Sequence, residues 1–191
     1  MPGGPVPLPH GMHNKAKEML RRLAQGFADT PTTQIASEAG VTRGALYHHF
    51  SDKTALFHAV FVELENALND AVVHAATESR HDLRTAFRAG TRALLEFATS
   101  PEYRQIAVAD GPAVVGMAEW HRIDTDIGMA SLHLMLDAFH AEGELATRPS
   151  PTRSVLLFGA LTQAAVELGR ATSTLSIDEI VDDYERLVLG D

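Results

Sequence analysis

TTQIASEAGVTRGALYHHFSDK, residues 32–53, is the stretch on which the reading of this chain turns. It holds two short helical patterns separated by Gly40. In the first, Ile35, Ala36 and Ala39 share a face; in the second, Val41, Ala45 and Leu46 do, with Phe50 closing the unit. Such spacing is what a short amphipathic helix needs. Glycine at the break takes a left-handed backbone geometry at little cost, and Thr42 is a natural N-cap for the second helix. The joint is too short for side-by-side antiparallel helices and predicts a steep helix-turn-helix crossing.

With that apolar face buried, the second helix turns Thr42, Arg43, Gly44, Tyr47, His48 and His49 outward. None is acidic. Hydroxyls, a guanidinium and imidazoles are the groups that meet phosphates and base edges of DNA. Gly44 removes a side chain where a backbone could come close to the duplex. Lys53 opens the next helical pattern, where it would meet a phosphate as a point charge. Thr32 lies in the first turn of the preceding helix, whose free N–H groups suit a phosphate. On this reading Thr32, Thr42, Tyr47 and Lys53 anchor phosphates, Arg43, Gly44 and His48 face bases, and His49 goes to either.

The charge distribution agrees. The net charge is −9, which argues against a protein that coats nucleic acid generally. Yet residues 1–53 carry six Lys and Arg against four Asp and Glu, a net of +2, and the remainder carries ten against 21, a net of −11. A mildly basic head on an acidic body draws a polyanion to one end. With so modest a charge, affinity for DNA should depend on two copies acting together. The chain has no cysteine, which excludes disulfides, thiol catalysis and cysteine-ligated zinc. No apolar run reaches the roughly 18 residues of a membrane span, and no signal-peptide pattern opens the chain, so a cytoplasmic location without membrane partners is expected.

The fragments GVTRGALYHHFSDKTALFHAV (40–60) and GFADTPTTQIASEAG (26–40) resemble the signature of TetR-type transcriptional regulators, and the likeness covers roughly residues 15–61. DGPAVVGMAEWHRID (110–124) is similar to a segment of many members. The resemblance implies a bacterial, cytoplasmic, ligand-responsive regulator, most often a repressor, that binds palindromic operator DNA as a homodimer and is released by a small apolar effector. It also implies that the long helix after residue 52 transmits ligand binding to the head.

Along the chain, residues 1–13 are rich in Pro and Gly and predict a disordered arm. A helix over 14–25 and Phe27 complete a three-helix DNA-binding domain, 14–51, with Thr30 capping the second helix and Pro31 at its first position. Residues 52–191 form the rest, a ligand-binding and dimerisation domain of about six helices. Ser51 should cap a long helix over about 52–78, followed by helices over 80–99, 102–109, 113–141, 152–171 and one capped by Ser176. Asp110-Gly111-Pro112 should break the chain before the 113–141 helix. No strand alternation occurs, so the fold class is all-α.

Two further sites are candidates. The helix over 152–171 is apolar from Val155 to Leu168 and rich in small residues, so it needs neighbours on every face. Either its own body covers it, or a partner's copy of the last two helices does. The need for two DNA half-sites favours the partner, through Leu157, Gly159, Ala160, Ala164, Leu168, Ile180 and Tyr184. The resemblance implies a ligand pocket in the body, for which Phe97, Tyr103, Met117, Trp120, His121, His133 and Phe158 are the candidates; plain core packing is the alternative for each. The ten histidines show no metal-ligand spacing, and adjacent His48 and His49 should point apart. No nucleophile motif or glycine-rich phosphate loop occurs, so neither enzyme activity nor a cofactor or metal is expected. The competing function is an all-α small-molecule-binding or enzyme-like module that does not bind an operator.

Overall fold

The computed structural model describes residues 26–79, 82–170 and 172–190, and every described element is helical. The expected arm at 1–13 and helix at 14–25 lie outside the described residues. The chain divides into two compact units that interleave in sequence: one takes residues up to Asn66 together with Ser100–Ile123, the other Ala67–Thr99 and Asp124 onward.

The first unit contains the helix-turn-helix. α1 spans Thr32–Glu38 and α2 Arg43–His49. Ile35, Ala36, Ala39, Leu46 and Phe50 are buried between them and their surroundings, as the apolar spacing predicts. Gly40 has φ +62°, and the N–H of Val41 returns to the carbonyl of Ala36 at 2.9 Å, so the left-handed residue closes α1 and turns the chain. Ala45, expected inside, is exposed; Leu46 and Phe50 fill the space, and a methyl group loses little by facing water. Thr42 caps α2 by accepting the N–H of Ala45 at 3.1 Å. Thr30 does not cap α1. It is buried, and its hydroxyl donates to the carbonyl of Gly26 at 2.8 Å, while Pro31 stands at the helix N-cap.

α3 spans Lys53–Glu78. Its cap is Asp52 rather than Ser51: Asp52 Oδ1 accepts the N–H of Ala55 at 2.8 Å, and Ser51 Oγ donates to Asp52 Oδ2 at 3.3 Å. A carboxylate at a helix N-terminus gains from the dipole as well as the hydrogen bond. In its first half Leu56, Phe57, Val60, Phe61 and Leu64 are buried. The first unit is completed by α5 (Pro101–Tyr103), a π-helix over Arg104–Asp110, α6 (Gly111–Val114) and the start of α7 (Met117–Ala141). Asp110-Gly111-Pro112 therefore widens the helix rather than breaking it; the break falls at Gly116, with φ +85°.

The second unit is a helical bundle. It includes α4 (Leu83–Ala98), α8 (Pro151–Leu168) and α9 (Ile177–Leu189). Each begins at a side-chain cap: Asp82, Ser150 and Ser176, the last in a capping box with Glu179. Phe87 of α4 stacks on Tyr184 at 5.5 Å and meets Phe139 of α7 edge-on at 5.6 Å. Around that core Arg88 reaches Asp182 and Glu185, both at 2.5 Å, Arg92 pairs with Asp178, and Arg84 reaches Glu144 at 2.7 Å.

Candidate nucleic-acid interface

On the outward side of α2 and the start of α1, Thr42, Arg43, Gly44, Tyr47, His48 and His49 are exposed. The Thr32 and Tyr47 hydroxyls lie 3.1 Å apart across the two helices, and the Arg43 guanidinium sits 5.4 Å from the centroid of the Tyr47 ring. The hydrogen bond with Thr32 pulls the Tyr47 hydroxyl below its ordinary pKa; desolvation opposes it, as does the charge of Asp52, while the bond and charge of Arg43 assist. A polarised hydroxyl beside a guanidinium is a ready donor to a phosphate oxygen. Thr42 Oγ1 accepts the capping N–H, which leaves its own O–H to donate outward. The His48 and His49 rings lie 5.3 Å apart rather than pointing away from each other; side-chain torsions bring the neighbouring rings together.

Gly44 is informative because the chain itself does not require it. A Cβ there would find only Thr42 Oγ1, at 3.9 Å, an ordinary contact. Glycine inside a helix costs about 0.5–1 kcal/mol relative to alanine. Nothing within 3.9 Å of that position demands a glycine.

Lys53, expected at a phosphate, has a task of its own. Its ammonium donates to the Phe27 carbonyl and stands 4.2 Å from the centroid of the Phe27 ring.

The proposed pocket residues are divided between the two units. In the first, Met117 is 64% exposed, His121 is exposed, Tyr103 is half-buried, and the Trp120 indole N–H donates to the carbonyl of Ala107 at 2.7 Å. In the second, Phe97 is half-buried, Phe158 is buried, and His133 Nδ1 lies 3.0 Å from Ser154 Oγ. Sequence reasoning did not find an open groove of about 310 Å³ in the first unit, lined by Asp52, Thr54, Ala55, His58, Val114, Val115 and Glu119. Glu119 accepts two hydrogen bonds from Arg122, at 2.7 and 2.8 Å, and its Oε1 lies 2.7 Å from His58 Nε2. First Arg122 and then His58 hold its carboxyl down at about 2. No periodicity could have signalled this group, because its members come from two helices 61 residues apart.

Of the proposed dimer residues, Gly159 and Ala160 are exposed, and Ala164, Leu168 and Ile180 are half-buried. Leu157 and Tyr184 are buried within the subunit, where the Tyr184 hydroxyl donates to the Leu157 carbonyl at 3.1 Å; burial raises its pKa. The exposed apolar surface of α8 includes two residues not singled out from sequence, Val155 and Leu156, at 53% and 68% exposure. Leu187 of α9 is also exposed.

The fold and the α2 face together define a helical protein with a helix-turn-helix head. Residues 21–60 match the pattern of bacterial regulatory proteins of the tetR family, and residues 84–190 match the tetracyclin repressor-like C-terminal domain. The chain belongs to the TetR family of transcriptional regulators, which are not enzymes. It is 46% identical over 46 residues to the HTH-type transcriptional regulator SrpR of Pseudomonas putida, covering 24% of this chain and 22% of that protein. It is 32% identical over 82 residues to AcrR of Shigella flexneri, covering 43% and 38%. The chain thus spans under half the length of these relatives. The fatty acid degradation regulator FadR from Bacillus halodurans shares the fold, with a TM-score of 0.74 over 95% of this chain and 96% of that one at 13% identity. Among the described residues no helix is long and apolar enough to cross a membrane.

Proposed function

We propose that this chain is a ligand-responsive repressor that binds palindromic operator DNA as a homodimer, with residues 14–51 reading DNA and 52–191 receiving the ligand and the second subunit. The observation that carries the reading is the outward face of α2: wholly non-acidic in a protein of net charge −9, with a helical glycine that the subunit's own packing does not need. Thr32, Thr42 and Tyr47 hold phosphates. Arg43 and His48 reach base edges past Gly44, and His49 takes whichever of the two lies nearer. Two copies of α2 then enter successive major grooves about 34–36 Å apart.

The dimer reading is supported by the α8 surface. Val155, Leu156, Gly159 and Ala160 form an exposed apolar stripe in which two small residues permit close approach of a second helix. The effector is a small apolar molecule taken up by the 52–191 domain, as is usual for the family. Its binding shifts the spacing of the two heads and weakens operator affinity by roughly 1–3 kcal/mol.

The test is selection of duplexes from a random-sequence pool by the purified chain, followed by native mass spectrometry of the winning duplex. Enrichment of an inverted repeat, bound by two subunits, is the expected result. Recovery of no enriched sequence, or of a single unrepeated half-site bound by one subunit, would refute the proposal.

A further inference from the structure

Phe27 is held from three directions, all within the first unit. Its N–H donates to Asp110 Oδ2 at 2.8 Å, across 83 residues of sequence. Its carbonyl accepts from Lys53 Nζ at the start of α3. Its ring meets Phe57 edge-on with centroids 5.3 Å apart. Three residues later Thr30 ties its hydroxyl back to Gly26, and Pro31 starts α1. The Phe27 turn is therefore the point from which the helix-turn-helix departs.

Asp110 is the last residue of the π-helix. Such wide turns are rare and frequently occur at functional sites. Here the register brings Asp110 round to Phe27, with Gln105 Nε2, five residues earlier, donating to the same oxygen at 3.1 Å. The other side of the π-helix is pinned by α7. Pro112 has no N–H to offer the carbonyl of Ala107 in the π register, and the Trp120 indole supplies the donor at 2.7 Å. Gly111 admits that ring: a Cβ there would lie 2.7 Å from Trp120 Cδ1 and 3.1 Å from the Ile106 carbonyl oxygen.

We propose that Asp110 is a positioning residue for DNA binding: by capturing the Phe27 N–H it fixes the turn that launches α1, and through α1 the presentation of α2. A carboxylate accepting a backbone N–H makes a charge-assisted bond, stronger than a neutral one. Its loss frees the turn on the N-terminal side while Lys53 still holds the carbonyl. Asp110 does not touch DNA, so it acts on affinity without adding a phosphate contact. The inference rests on the DNA-binding reading above.

The experiment uses the full chain, the duplex that the wild-type chain selects, and hydrogen exchange of the Phe27 amide by NMR. Asp110→Ala should lower affinity about tenfold, speed exchange at Phe27, and leave the slope of log K against log salt unchanged, since no phosphate contact is removed. Asp110→Asn keeps an acceptor oxygen and should recover most of the affinity and the protection. Wild-type affinity in Asp110→Ala, or a loss of affinity without faster exchange at Phe27, overturns the inference. Should the alanine variant lose helicity, Asp110→Asn carries the test alone: its weaker acceptor should give measurably faster Phe27 exchange and a roughly twofold loss of affinity, and no change in either overturns the inference. A wild-type chain that selects no duplex overturns the DNA-binding reading itself; failure confined to the variants overturns only the role of Asp110.

Discussion

Arginine is used in opposite ways at the two ends of this chain. In the second unit Arg84, Arg88 and Arg92 of α4 are spent on the protein itself, paired with Glu144, Asp182, Glu185 and Asp178. In the helix-turn-helix, Arg43 has no carboxylate partner among the described residues and rests over the Tyr47 ring. A cation stacked on an exposed aromatic is held in place at little cost and can leave for a phosphate or a guanine edge. The difference separates surface that completes a fold from surface kept for something else. The stripe of α8 is exposed as well, with apolar groups in place of charge.

The largest effect should come from breaking that stripe. Leu156 is 68% exposed, so an arginine there costs the isolated subunit little. Across a helix–helix interface the same arginine would be a buried, unpaired charge, costing several kcal/mol. Leu156→Arg should therefore stay helical, run as a monomer in sedimentation, and lose at least about 100-fold in operator affinity as one half-site is lost. A Leu156→Arg chain that still sediments as the wild type does would place the interface elsewhere.

The arginine contrast itself is the next to test. Arg43→Ala should weaken binding to the selected duplex by about 1–3 kcal/mol, relax the preference at one base position, and leave the melting temperature unchanged. Arg88→Ala should do the reverse: a melting temperature lower by about 2–4 °C and unaltered DNA affinity per dimer. If the two substitutions gave the same pattern, the distinction between inward- and outward-spent arginines would collapse.

The same contrast explains what could be read from sequence. The α1–α2 corner was legible because its determinants are local: Ile35, Ala36 and Leu46 repeat with helical spacing, Gly40 marks the turn and Thr42 the cap, all within 15 residues. The Ser176 cap is legible for the same reason, since its helix follows at once. What the sequence concealed is set by distant partners. Lys53 reads from sequence as a point charge for a phosphate; that its ammonium also donates to the Phe27 carbonyl, 26 residues away, has no local signal. Tyr184 and Leu157 looked suited to an interface, but their hydrogen bond spans 27 residues and places both inside. Asp110-Gly111-Pro112 reads as a break because Asp-Gly-Pro ordinarily ends a helix; the Trp120 indole, ten residues on from Asp110, donates to the Ala107 carbonyl that Pro112 has no N–H to reach.

The smallest expected effect concerns an exception to the contrast. The first unit does hold a charge cluster turned on itself, Glu119 with Arg122 and His58. Arg122, and after it His58, hold the Glu119 carboxyl at about 2, below its ordinary value of 4.5. A folded-state pKa below the unfolded one means that the native chain favours the carboxylate. That contribution is complete above pH 4.5 and is lost as pH falls towards 2. The Glu119 side chain is 34% exposed, so solvent screening keeps the contribution under about 1 kcal/mol. Melting curves of the wild type and Glu119→Gln from pH 6 to 2.5 should therefore differ by a constant one or two degrees down to about pH 4.5, then converge as the wild type loses its charge. A gap that stays constant to pH 2.5 would mean that Glu119 stabilises by its hydrogen bonds and packing alone. The Glu119 cluster would then contribute little through its charge, and the contrast with the ion-paired arginines of α4 would sharpen.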